Sequence, residues 1–83
     1  MPIPDGWTAR VVDSGAGMVD QAPGATGNAN MIRIMDSTDI NPDGYIVIYR
    51  KHGQAVDANG KVVMKSTWHI PLSYVGTIKW PWE

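Results

Sequence analysis

Eighty-three residues, a net charge of −1 and no cysteine describe one small domain that must be held by its core alone. A chain this short buries only about 60% of the surface its unfolded form exposes, so its stability is expected to be modest. Disulfides are excluded, two histidines are too few for a Cys/His zinc site, and no run approaches a membrane span or a signal peptide.

In chain order, Met1 to Gly6 has two prolines and a glycine and reads as a loop. Trp7 to Val12 reads as a short strand ended by Asp13-Ser14-Gly15, and Gly17 to Asp20 as another. Gln21 to Asn30 is an irregular loop whose backbone N–H groups and Asn28 and Asn30 amides suit a phosphate, although the phosphate-loop pattern is absent. Met31 to Asp36 is the next strand. Asn41-Pro42-Asp43-Gly44 is a turn, and Tyr45 to Tyr49 alternates with period two. Asn59-Gly60, between Ala55-Val56 and Val62-Val63, is the dipeptide of a two-residue type I′ hairpin. Thr67 to Pro71 closes the sheet, with Pro71 ending the pairing, and the tail adds an edge strand ending at Pro81.

No segment keeps helical period over three turns. The expected fold is mostly β, a small twisted antiparallel sheet built from hairpins, with any helix short and near the N-terminus. Residues 1–83 form a single domain: a loop-rich lead-in over 1–16, a core sheet over 17–72 and an aromatic tail over 73–83.

Alternation sorts the strands onto two faces. Ile32, Ile34, Ile46, Ile48, Trp68 and Ile70 share the face expected to be buried. The other face gathers Arg33, Tyr45, Tyr49, Thr67 and His69, a set that core packing does not ask for. Charge is also divided along the chain. Up to Gly44 there are two cations, Arg10 and Arg33, against Asp5, Asp13, Asp20, Asp36, Asp39 and Asp43. From Tyr45 to Trp82 there are Arg50, Lys51, Lys61, Lys65 and Lys79 against Asp57 alone. Such segregation suits a polyanion or an acidic partner, although on charge alone two solvated faces that happen to differ are the favoured reading.

Arginine, histidine and hydroxyl groups on one face match a phosphodiester. Arginine takes phosphate oxygens in a fork, and histidine moves protons near neutrality. In RNA the 2′-OH is a built-in nucleophile, so cleavage to a 2′,3′-cyclic phosphate needs no metal and no cofactor. The acids form no ligand-spaced set of the kind a metal-dependent nuclease requires. Each residue also has an ordinary use: His69 in a carbonyl hydrogen bond, His52 in a turn, Arg33 paired with an aspartate, and Tyr45 and Tyr49 in cross-strand packing.

The segments from Pro23 to Asp36, Pro42 to Tyr45, Tyr49, Lys51 to Gln54, Asn59 to Lys61, and Thr67 with His69-Ile70-Pro71 carry a resemblance in their order and spacing. From Gly17 to Pro71 the chain resembles the C-terminal toxin domains of bacterial polymorphic toxins, the tips of Rhs-type and contact-dependent-inhibition proteins. The resemblance implies a ribonuclease related to the barnase–EndoU–colicin–RelE group, whose members share a small antiparallel sheet but vary their catalytic residues. It further implies delivery as part of a larger toxin, action in the cytoplasm of a target bacterium, and a cognate immunity protein. Its conserved polar positions fall on Asn28, Arg33, Tyr49, His52, Thr67 and His69. The sequence departs from the pattern where Trp68 separates Thr67 from His69, where Ala55 replaces a proline, and where Val62-Val63 follows Gly60-Lys61.

The expected roles follow: His69 as general acid or base, Arg33 on the scissile phosphate, and His52, Tyr49 or Thr67 as the second hydrogen-bonding or proton-transfer group. Lys51, Arg50, Lys65 and Asn28 hold the RNA backbone. No metal, cofactor or membrane enters this expectation, and the free toxin is expected to be monomeric. From another class, a non-catalytic β module would bind a protein or single-stranded nucleic acid through its Trp and Tyr residues, with Trp80-Pro81-Trp82 as a platform.

Overall fold

The computed structural model describes residues 3–63 and 69–82, with Val75 by its backbone only. Strands β1 (Thr8–Val11), β2 (Gly17–Gln21), β3 (Met31–Met35), β4 (Tyr45–Tyr49) and β5 (Ala55–Val56) follow one another as an antiparallel meander. Strand β6 (Ile70–Pro71) shares the outer edge of β4 with β5: β5 pairs with Ile48 and Tyr49, β6 with Tyr45 and Ile46. Thr67 and Trp68, expected to begin that last strand, lie outside the described residues.

The expected register holds across the centre. Ile32 faces Ile48 and Ile34 faces Ile46, so one side of the sheet is a continuous apolar strip. Ile32, Ile46, Ile48, Val56 and Ile70 are each no more than 2% exposed. Burying a side chain of this size contributes about 1.5–3 kcal/mol, so these few residues are a large part of the stability of so small a fold.

That strip is covered by the C-terminal segment, and here the structure departs from expectation. Residues Leu72–Thr77 form a 3₁₀ helix, not part of an edge strand, so the short helix sits near the C-terminal end rather than the N-terminal one. Pro71 cannot extend the ladder with an N–H, and the chain turns after it. The tail then crosses the sheet face, burying Ile78 and Trp80. Lys79 donates its N–H to the Ala58 carbonyl at 2.9 Å. Trp82 meets Trp7 edge-on, with ring centroids 4.8 Å apart, and lies 5.5 Å from Trp80.

The Asn59-Gly60 tip is a hairpin of a different type from the one expected. Gly60 N–H bonds to Asp57 O at 3.0 Å, and Asp57 N–H to Lys61 O at 2.9 Å. Gly60 has φ +80°. Asn59, unlike Asn30, is not in the left-handed region. This is a type I turn followed by a left-handed glycine, the three-residue solution to the same connection. Asp57 Oδ1 decides it, accepting the N–H groups of Asn59 at 2.9 Å and Lys61 at 3.1 Å. The β4–β5 connection repeats the device, with Gly53 N–H on Arg50 O and Arg50 N–H on Gln54 O, both at 2.9 Å. His52 occupies the position in that turn that Asn59 takes in the other.

Candidate functional site

The second face of the sheet carries the odd-numbered positions of β3 and β4. It is not uniformly polar: Val19, Met31, Val47, Tyr49 and Ala55 form a second buried cluster, flanked by Val12, Tyr45 and Val63. The polar groups of interest stand on this apolar floor.

Their order follows from strand pairing. Arg10 pairs with Val19, Val19 with Arg33, and Arg33 with Val47. His69 precedes Ile70, which pairs with Ile46, so His69 flanks Val47 from the far edge. One row across the sheet therefore runs Arg10, Val19, Arg33, Val47, His69. Neighbouring strands lie about 4.8 Å apart, so each polar residue is two strand spacings from the next.

His69 is exposed, and its imidazole stacks on the Tyr45 ring with centroids 4.0 Å apart and planes at 21°. The stack holds the ring flat on a residue that stays exposed. Clefts open on both sides of it. One of about 500 Å³ is lined by residues 38–41 with Tyr45 and His69, and one of about 350 Å³ by Asp57, Asn59, His69, Pro71 and Tyr74.

Arg33 leans the other way. Its guanidinium carbon lies 5.8 Å from the centre of the Tyr49 ring, a cation–π approach. Burial pushes the Tyr49 hydroxyl above its ordinary pKa, and the Arg33 charge partly offsets that by favouring the phenolate. Arg33 Nε is buried and has no hydrogen-bond partner among the described residues.

Thus the structure gathers Arg33, Tyr45, Tyr49 and His69 on one face, in two pairs. His52 stands apart, exposed in the β4–β5 turn beyond Tyr49, while His69 sits at the Tyr45 end. Tyr45 and Tyr49 are four residues apart on one strand, about 13 Å, so the two histidines do not form one catalytic pair in this geometry. Arg50 and Lys51 line another cleft, of about 520 Å³, with Asn30, Gly60, Pro81 and Trp82. Asn28 is half-buried in the β2–β3 loop, and its backbone and Cβ pass 3.8 Å from where a Cβ on Gly53 would lie. Thr67 and Lys65 lie outside the described residues.

Sequence reasoning missed Arg10 as a site residue. It is exposed on β1, and it donates from Nη1 to Gln21 Oε1 at 3.1 Å, with Nη2 3.8 Å from Met31 Sδ. Gln21 in turn is 7% exposed and donates from Nε2 to the carbonyls of Gly27 at 2.9 Å and Ala29 at 3.0 Å. It thereby ties the irregular loop to the site face. The β1–β2 register, which alternation within one strand does not give, puts Arg10 on the Arg33 face, two strands away across Val19.

Among the described residues no group of three His, Cys, Asp or Glu is placed to hold a metal ion, and no helix is long and apolar enough to cross a membrane. Comparison with family models, with curated proteins and with solved structures finds no match to this chain.

Proposed function

We propose that this chain is an interbacterial toxin domain that cleaves RNA by attack of the 2′-OH on the adjacent phosphate, leaving a 2′,3′-cyclic phosphate. The observation that carries the reading is the placing of Arg33 and His69 on either side of Val47, on a sheet face whose opposite side is the main core. A phosphodiester bound over β4 is reached by the Arg33 side chain from the Tyr49 end and by the His69 imidazole from the Tyr45 end. His69 moves the proton of the 2′-OH or of the leaving oxygen, and Tyr45 orients its ring. Arg33 stabilises the charge that develops on the phosphoryl oxygens, the contribution that usually weighs most in such reactions. Arg50, Lys51 and His52 hold the RNA backbone beyond Tyr49, with Lys65 and Asn28 as further contacts and Thr67 as a second polar group.

Purified protein incubated with total cellular RNA should yield fragments ending in cyclic phosphate, in excess chelator as without it. His69→Ala should lower the rate by at least about 100-fold, the usual weight of a general acid or base. Activity abolished by chelator and restored by Mg²⁺ would overturn the metal-independent mechanism, and undiminished cleavage by His69→Ala would overturn the site.

Such a toxin needs an immunity protein in the cell that makes it. Carboxylates on that partner facing Arg50 and Lys51 would speed association more than they add affinity, with an effect that fades as salt is raised. A binding module without catalysis is the second reading, favoured by Trp82 lining the cleft that Arg50 and Lys51 also line. Stacking of a base on an aromatic ring beside phosphate-binding cations is how single strands are held without being cut. Tight binding of RNA that is left intact would select it.

A further inference from the structure

Arg10 and Arg33 stand on either side of Val19, and both lean onto the next row, where Gln21 pairs with Met31 and Met31 with Tyr49. Arg10 touches Gln21 and Met31; Arg33 lies over Tyr49. Two guanidinium groups are thus gathered above one cross-strand neighbourhood. Like charges held this close repel each other, and a bound anion relieves the repulsion. Arg33 Nε adds a second sign of an absent acceptor. A buried N–H without a partner is costly, and folded proteins rarely leave one so.

On the other side of their row both arginines border an open cleft of about 300 Å³ lined also by Val11, Val12, Asp13, Ser14, Val19 and Met35. The Asp13 carboxylate on that side bears on which anion the arginines take. A dianionic phosphate monoester would meet its carboxylate unfavourably, whereas the singly charged phosphodiester of a strand meets less repulsion.

We propose that Arg10 and Arg33 form a second phosphate subsite, so that a nucleic-acid strand crosses the sheet from β6 towards β1. One phosphodiester lies over β4 within reach of His69, and a neighbouring one between Arg33 and Arg10. The identity of the strand as RNA rests on the ribonuclease reading; the two-arginine subsite itself does not.

The test uses a single-stranded DNA oligonucleotide, which lacks the 2′-OH and is not cleaved, and in a parallel arm inorganic phosphate at fixed ionic strength. Binding of the oligonucleotide should shift the Nε–Hε resonances of both Arg10 and Arg33. Arg10→Gln should weaken it roughly tenfold and lower the slope of log K against log salt by about 0.7, the single-strand value for one phosphate contact. Arg10→Lys should keep the slope, and Asp13→Asn should tighten binding. Arg10 is exposed on an edge strand, so these variants should keep the wild-type fold, which far-UV circular dichroism checks. Oligonucleotide affinity and slope unchanged in Arg10→Gln would overturn the subsite, as would inorganic phosphate binding as tightly as the oligonucleotide. Arginine-dependent binding of the oligonucleotide with RNA left uncut would uphold the subsite and remove the ribonuclease reading. Cleavage that depends on His69 but not on Arg10 would do the reverse.

Discussion

Tyr49 is the residue at which burial, charge and site chemistry meet. It is 2% exposed, so ionising its hydroxyl in the folded state is resisted by the loss of solvation, and its pKa is raised. Below pH 10, the ordinary tyrosine value, both folded and unfolded forms carry a neutral phenol and the shift costs nothing. Above it the unfolded chain gives up the proton while the folded one keeps it, so stability falls until the folded pKa is passed. The melting temperature of the wild type should therefore decline more steeply above pH 10 than that of Tyr49→Phe, as calorimetry at matched ionic strength would show. Equal slopes would mean that the hydroxyl is far better solvated than its burial implies. At this scale, legibility from sequence was uneven. Ile32, Ile46, Ile48 and Ile70 announce themselves by alternation. The depth of Tyr49 does not, because period-two patterning tells which face a side chain takes but not whether that face is covered.

Among the elements, the two turns that flank β5 show how a short sequence signal is read correctly in place and wrongly in kind. Asn59-Gly60 marks a hairpin tip under either turn type. The choice between them lies with the carboxylate of Asp57, two residues earlier, and with the one-residue bulge it supports. Gly60→Ala should destabilise the fold by about 1–2 kcal/mol, since a β-carbon at φ +80° is strained even with space available. A different cost belongs to Gly17. There a β-carbon would fall 2.5 Å from Ile34 O and 2.9 Å from Met35 Cα, so β2 must move away from β3 to admit it. Gly17→Ala should thus cost at least as much as Gly60→Ala in urea unfolding, and should also disturb the cleft that Met35 lines. The tail misled the reading for a related reason. Ile78, Lys79 and Trp80 alternate as a strand would, but their apolar side chains are spent on covering the sheet face rather than on lengthening its edge.

For the molecule as a whole, the charge division along the chain does not become a division of surface. Arg10 and Arg33 come from the acidic half yet stand in the same row as His69, while Arg50 and Lys51 of the basic half line a cleft with Trp82. A meander sets consecutive strands side by side, so the two blocks of charge meet where β3 of the acidic half pairs with β4 of the basic half. The mostly β architecture was legible because each hairpin is local and carries its own turn residues. The covering of the main core was not, since it depends on contacts between the two ends of the described chain. Trp80→Ala should cost about 3–5 kcal/mol, on the scale of the whole stability of a domain this size, and should leave little folded protein at 37 °C.

The meeting of Trp7, Trp80 and Trp82 also gives the molecule an internal optical reporter. Three of its four tryptophans lie in one cluster formed by the two ends of the described chain, remote in sequence from the hairpins between them. In a Trp68→Phe background, ultraviolet-excited emission then comes from that cluster alone, while far-UV circular dichroism follows the strands. If the ends dock as part of one cooperative event, the two signals trace a single denaturation curve. If the tail lifts first, emission changes at lower denaturant than ellipticity, and the gap between the midpoints measures how independently the covering segment opens over the core.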